Sequence, residues 1–466
     1  MRSVSGIAAL AMWFVALVAM SSGCAVQTRS WSADLILHNA RIWTVDDRCP
    51  TAEAVAVRGN HIAAVGKNQD ILRYQGPRTK VIDLRGAFVL PGFNDSHVHF
   101  DSAARFLEFN IMSSKSQDEF IARVRRVVDE LAPGEWILGG YWGAYDRWIA
   151  GSAGGEHRST FTPDMRQVDA ITFAHPMFIQ KFDASEYAAN TAAIRAAGID
   201  PIAGGPEDIE FVLDDRGMWT GILRGRGVRP LFERVIPRER SRARRLQQTR
   251  HALAEAARQG VTSLSDMSDD EQLEIYRELH EAGELTVRVH FRYPLDRWSE
   301  LADRGIKVGH GDEWIRLGAL KGHIDGIMGA SSARFLEPYS HEPNNRGRWR
   351  RLMVDKDGRF VEGKFLQYML DADRAGLQLT VHAIGDEANR LLLDYLDELN
   401  RKNGHRDRRF RLVHAQVMTP QDMKRLGKLG VIAEVQPYHL SDDMRWMEDR
   451  IGKERCQGAY AFKSIE

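Results

Sequence analysis

The sequence predicts an α/β fold, either a barrel or a doubly wound parallel sheet, and three observations predict it. From Phe93 onward, seven short apolar runs alternate with helical patterns, as strand–helix–strand units do. Several of those runs end in a histidine or a lysine, at the end of the strand where α/β barrels carry their chemistry. The length, 466 residues, exceeds one small core and suits a barrel-sized domain with additions.

Residues 1–24 read as an export segment and not as part of the fold. Arg2 supplies a minimal positive start, and Ile7 to Met20 is apolar but short for a membrane span. Ser21-Ser22-Gly23-Cys24 is similar to a bacterial lipoprotein processing site in its small residue before Cys, although Ser21 stands where a larger apolar residue is usual. The expectation is an exported protein, either periplasmic or anchored to a bacterial membrane through a lipid on Cys24.

Residues 33–90 form a run of short β-candidates with Gly and Asn turns, expected to be a small antiparallel domain. Asp34–Leu37 and Arg41–Val45 suggest one hairpin. Ala54–Val57 and His61–Val65 suggest a second, turning at Arg58-Gly59-Asn60. Lys80–Leu84 and Phe88–Leu90 follow.

The barrel region is expected over 91–102 and 241–466. Its strand candidates are Phe93–His99, Val261–Asp266, Thr286–Tyr293, Ile315–Lys321, Leu377–His382, Phe410–His414 and Val431–Gln436. Helix candidates are Ser241–Gln259, Asp269–Ala282, Val361–Arg374, Glu387–Arg401 and Pro420–Lys428. Seven strands are one short of the eight in a closed barrel. The gap between His99 and Gly260 far exceeds an ordinary connection, so 103–240 is expected to be an inserted subdomain that covers the pocket.

Basic and acidic residues balance at 64 each, without a long basic stripe, which argues against a nucleic-acid partner. The basic cluster Arg238–Arg250 reads as the solvated face of a helix. Cys24, Cys49 and Cys456 contain no Cys-x-x-Cys, so a thiolate metal site is not expected.

The chemistry lies at the strand ends. His97 and His99 share one strand face and can hold one ion together, imidazole being the commonest protein ligand for zinc and related metals. Lys321, His382 and His414 end three later strands, and the ends of barrel strands face one pocket. A lone strand-end histidine is more often a hydrogen-bonded structural residue, and an inward lysine is costly unless paired or modified. Five such residues at one relative position in successive strands favour a metal site.

On these residues the chain resembles the metal-dependent amidohydrolase superfamily, in the N-substituted formamide deformylase-like branch (amidohydrolase family 3). The motifs are Pro91-Gly92-Phe93…His97-Val98-His99, Gly260-Val261-Thr262-Ser263, Lys321…Asp325-Gly326, Glu337-Pro338-Tyr339, His382–Asp386, His414-Ala415-Gln416 and Val435-Gln436-Pro437. The resemblance implies a TIM-type (β/α)8 barrel short of its eighth strand, with a small N-terminal β-sandwich domain. It implies one or two divalent ions, zinc foremost. His97 and His99 would hold one, His382 and His414 the other, with a carboxylated Lys321 between them. The implied reaction is hydrolysis of a non-peptide carbon–nitrogen bond in an amide-like small molecule, by hydroxide made available at neutral pH.

The family's proton-transferring Asp ends the eighth strand, in a Gly-Ser-Asp context. The last residues here, Ala461–Glu466, resemble the helix before that strand, so no catalytic acid is assigned. The alternative expectation is therefore a C-terminally truncated, inactive remnant or gene fragment that still binds metal. Asp183-Ala184-Ser185 and Ser265-Asp266 replace the family's Asp-Gly-His and His-Asp. Candidate substrate-binding residues are Trp142, Asp183, Asp325, Tyr438 and His439.

Overall fold

The computed structural model describes residues 31–112, 114–143, 161–181, 186–201, 206, 208–225, 227–237 and 242–466. The export segment with Cys24, and the substrate candidate Asp183, lie outside the described residues. Among the described residues no helix is long and apolar enough to cross a membrane. The chain divides into two units, Met1–Gly92 and Phe93–Glu466.

In the first unit, β1 (Leu35–His38), β4 (Ala54–Arg58), β5 (His61–Gly66) and β6 (Lys80–Asp83) form one sheet, in the order β5-β4-β1-β6. β2 (Arg41–Trp43), β3 (Thr51–Ala52) and β7 (Phe88–Val89) form a second. The second expected hairpin is present, with Arg58 opposite His61. The first is not. β1 pairs with β4 and β6, whereas β2 pairs with β3 and β7, because the chain changes sheet at Asn39, which holds φ +60. Nor is the domain purely antiparallel, since β1–β6 and β2–β7 are parallel. The alternation along β4 explains the two layers. Ala54 and Ala56 pack with Ile36 and Ile71, while Val55 and Val57 pack with Ile42 and Val89.

In the second unit, seven strands run parallel. They are β8 (Phe93–Val98), then, after the insertion, β14 (Val261–Asp266), β15 (Arg288–Pro294), β16 (Ile315–His323), β17 (Gln378–Ala383), β18 (Arg411–His414) and β19 (Ile432–Glu434). Neighbours follow chain order from β8 to β19. No backbone ladder joins β8 to β19 among the described residues, yet their side chains meet, His97 Nδ1 lying 3.1 Å from Glu434 Oε1. The sheet therefore curls into a nearly closed barrel.

Outward strand residues such as Leu264, Val289, Phe291, Leu320, Leu379, Val381 and Leu412 pack against the surrounding helices in one continuous apolar core. That burial is the driving term for the layer, at about 25 cal/mol per Å² of apolar surface. The helices Arg242–Arg258, Asp270–Glu281, Lys364–Arg374, Asp386–Asn403 and Pro420–Leu429 match the periodic segments.

The expected boundary at 103 falls inside a helix, Phe100–Glu108. This helix belongs to the barrel layer, since Glu108 bonds Arg244 at 3.0 Å and Asp101 bonds Arg245 at 3.3 Å. The basic run is likewise not a solvated face throughout. Arg245 is buried and is also bonded to Asp269 and to Glu271, the latter at 2.6 Å. Beyond it, β9 (Ile137–Trp142), β10 (Met177–Lys181), β11 (Tyr187–Ala189), β12 (Glu210–Leu213) and β13 (Trp219–Arg224) form the inserted sheet, ordered β12-β13-β11-β10-β9.

Candidate metal centre

Strands β8, β16, β17 and β18 bring the five predicted residues to one end of the barrel. His97, on β8, and His99, just past it, have ring centroids 5.8 Å apart. The His97 ring lies 5.0 Å from that of His414, which closes β18, and His414 lies 4.5 Å from His382 on β17. Lys321 on β16 is buried, and its charge opposes protonation of His97, His99, His382 and His414 alike.

Hydrogen bonds settle which ring nitrogen is free. His97 Nδ1 faces the Glu434 carboxylate at 3.1 Å, and His382 Nε2 faces the Gly326 carbonyl at 2.9 Å. His414 Nδ1 faces Gln436 Oε1, and the Gln436 amide is oriented by donating its own NH₂ to the Glu434 carbonyl at 3.0 Å. Each of these oxygens accepts the ring hydrogen, leaving a lone pair on His97 Nε2, His414 Nε2 and His382 Nδ1. Burial keeps these rings neutral. His97 is pushed down to about 4, His99 is lowered, and His382 and His414 lie well below the usual histidine range. A neutral imidazole whose other nitrogen donates to the protein is the metal-binding form. Among the described residues no three His, Cys, Asp or Glu side chains stand closed round a single point. The donor set and its hydrogen bonds nevertheless fit divalent-ion ligation.

Lys321 is pushed down to about 7 by burial and the Arg292 charge, with Glu434 opposing. Glu434 and Arg292 are two site residues that sequence reasoning missed. Arg292 places two nitrogens on the Glu434 carboxylate at 2.8 and 2.9 Å, and Arg411 adds a third contact at 3.0 Å. Arg292 also donates to the Ser96 carbonyl at 3.0 Å, which ties β15 to the histidine-bearing strand. Burial pushes the Glu434 carboxyl up, but its bonds from His97 and Arg292 outweigh this and hold it well below the carboxylate range. The signal was a charge inside each of two apolar strand runs, His290-Phe291-Arg292-Tyr293 and Ile432-Ala433-Glu434-Val435.

His323 was also missed. It stands two residues past Lys321, on the same strand face, with its ring 5.2 Å from that of His382. Asp266 supports the same end from outside. Its buried carboxylate accepts the Phe100 amide and the Tyr276 and Ser268 hydroxyls, each at 2.9 Å, fixing the chain just after His99.

The substrate-binding candidates fare differently. Asp325 is fully buried, and its carboxylate accepts the backbone amides of Ile384, Gly385 and Arg334 at 3.0, 2.9 and 2.8 Å. It clamps the turn after β17 and has no face left for a substrate. That turn is close-packed: a Cβ on Gly385 would stand 2.0 Å from the Arg334 carbonyl oxygen, so only glycine fits. Trp142 is also withdrawn from the site, buried in the inserted subdomain's core with Phe109, Phe120 and Ile179. An apolar strand end next to a Gly pair could be read either way in sequence, and core packing takes it. Tyr438 is exposed, on the helix Pro437–Asp443. His439, on the same helix, stacks on His414 with centroids 5.8 Å apart.

A cavity of about 400 Å³ opens beside the cluster, lined by His99, Arg292, Lys321, His323, Arg350 and Leu352 among others. The described lining comes from β15 and β16 and from the segments just after β8, β14, β15 and β16. None of this described lining comes from 103–240, a segment in which 144–160 and several shorter stretches lie outside the described residues.

Comparison with known proteins bears on the family and the fold. A model of the amidohydrolase family matches residues 80–466. Protein LONG AFTER FAR-RED 3 of Arabidopsis thaliana is 32% identical over 449 residues, 93% of this chain and 73% of that protein. N-substituted formamide deformylase of Arthrobacter pascens is 25% identical over 423 residues, 87% of this chain and 73% of that one. Among solved structures, an uncharacterized metal-dependent hydrolase from Pyrococcus furiosus superposes with a TM-score of 0.72 at 24% identity, covering 92% of this chain and 82% of that one. This last likeness bears on the fold.

Proposed function

The chain belongs to the amidohydrolase family, and from that premise we propose that it is a metal-dependent hydrolase of a non-peptide carbon–nitrogen bond in an amide-like small molecule. One observation carries the reading: four neutral imidazoles converge around a buried lysine, three of them with one nitrogen already engaged by the protein. His97 and His99 would hold one divalent ion, and His382 and His414 a second. A bound ion, zinc by preference, supplies water of near-neutral acidity and polarises an amide carbonyl.

Lys321 would join the two sites as a carbamate. Its amine, pushed down to about 7, carries a substantial neutral fraction at neutral pH. That form attacks carbon dioxide, forming an N–C bond and releasing a proton. His99 and His323 face the cavity where a substrate would lie. Glu434 and Asp325, the carboxylates in contact with the imidazoles, are both committed to other partners, so neither is assigned the proton transfer.

The test is metal analysis of the purified chain, paired with turnover of a panel of N-formyl and N-acyl amines. The formamide deformylase relative motivates the N-formyl compounds. One or two equivalents of divalent ion are expected, lost on replacing His97 and His382 together. A chain without stoichiometric metal would sink the reading. Export belongs to the same proposal, and mass spectrometry of the mature chain reads whether it begins at a lipid-modified Cys24.

A further inference from the structure

The cavity beside the imidazoles contains three arginines with different commitments. Arg292 is spent on Glu434. Arg351 pairs with Asp296 at 2.6 Å. Arg350 has no such partner: among the described residues no carboxylate lies within ion-pair distance of it. Its place is nevertheless set by the backbone. Its amide donates to the Ile324 carbonyl at 3.0 Å, and its Nε donates to the Asp325 carbonyl at 3.1 Å. Both acceptors belong to the chain just after Lys321 and His323, so the guanidinium is tethered to the strand that carries the site.

Its remaining donors belong to a half-buried group on the wall of a cavity of about 400 Å³. Burial and the neighbouring Arg348 charge make it a poorly satisfied cation, lowering its proton affinity. A guanidinium with its plane fixed and its outer nitrogens open suits two parallel hydrogen bonds from a planar anion. The volume suits a small organic molecule.

We propose that Arg350 is a specificity-determining residue that binds a carboxylate of the small molecule occupying this cavity. The substrate is then an amide bearing a carboxylate, such as an N-acyl amino acid, with its amide end towards the imidazoles. This identification of substrate class rests on the hydrolase reading above.

Phenylacetate and phenylacetamide, equal in shape and different in charge, serve as probes. Each is titrated calorimetrically into the zinc-loaded full-length chain and into Arg350→Gln. The wild type is expected to prefer the carboxylate by roughly tenfold to a hundredfold, the range of a charge-assisted bond. The preference should collapse in Arg350→Gln at unchanged zinc content. Any attraction of the metal or Lys321 for the carboxylate is common to both proteins, so it cancels in the comparison. A ratio unchanged in Arg350→Gln, or no preference or no binding in the wild type, overturns the proposal. If Arg350→Gln does not fold, Arg350→Lys carries the test, because it keeps the charge but loses the planar pair of donors. A several-fold fall in the ratio then supports the proposal and an unchanged ratio overturns it. Failure of the hydrolase reading would show separately, as absent turnover of N-formyl and N-acyl amines by the zinc-loaded chain, and would leave this ratio intact.

Discussion

Glu434 holds more of the site together than any single candidate ligand. It accepts from His97, neutralises Arg292 and Arg411, and does so almost wholly out of solvent. Removing one member of a buried pair leaves an uncompensated charge, at a cost of about 3–5 kcal/mol. Glu434→Gln is expected to lower the unfolding free energy by about that much, measured by denaturant titration. Losing the carboxylate behind His97 should also weaken zinc binding by roughly ten- to a hundredfold. Zinc affinity unchanged in a folded variant would contradict the positioning role.

Lys321 yields a prediction in pH. In the folded metal-free chain it binds its proton with a pKa near 7, against 10.5 for a free lysine. Between those values the unfolded chain holds the extra proton, so stability rises as pH increases from about 7 to about 10.5. Lys321→Met should abolish that rise, measured as the difference in unfolding free energy between the two proteins at each pH. Equal slopes across this window would refute the assignment.

At the scale of elements, the strands were the most legible part of the sequence. Val261–Asp266 agrees residue for residue, and the other six agree to within a few residues, because outward apolar side chains impose their period on each run. The helix Phe100–Glu108 was not foreseen, since the segment after His99 lacks an N-capping residue whose side chain caps it. The first hairpin failed for another reason. β1 and β2 are both good β-formers close in sequence, but propensity does not specify a partner, and the turn at Asn39 sends them to different sheets.

The Arg245 cluster also belongs to this scale. It joins three elements, the helices Phe100–Glu108, Arg242–Arg258 and Asp270–Glu281 with its capping Asp269. Arg245→Met is expected to cost about 3 kcal/mol by removing the buried cation that Asp101, Asp269 and Glu271 share. The nearby Arg250→Met, in an exposed pair with Glu284, should cost under about 1 kcal/mol. Chemical denaturation of the two variants in parallel distinguishes a clip from a solvated face.

Across the second unit, the barrel interior departs from the usual filling of branched apolar residues. His290, Arg292, Lys321, His382, Arg411 and Glu434 stand on strand faces opposite the apolar core. This charged interior bridges β8 to the far end of the sheet through side chains. An ion that binds only the folded chain stabilises it by mass action. Zinc should therefore raise the melting temperature of chelator-treated protein in a concentration-dependent way, and the shift should vanish in a His97→Ala, His382→Ala double variant. A shift of the same size in that variant would place the ion elsewhere.

The sequence by itself determined the class, the strand series and the five residues at the strand ends. Apolar periodicity and residue chemistry are local properties and survive in one dimension. The tertiary structure alone decided which ring nitrogen each histidine keeps free, that Glu434 and Arg292 stand behind them, and that Asp325 and Trp142 are structural. Those outcomes depend on pairs such as His97 and Glu434, or Asp325 and Gly385, which lie far apart along the chain and come together only when the sheet curls. A charge inside an apolar strand signals that some buried partner must exist, because its desolvation has to be offset. Only the register of the neighbouring strands identifies that partner.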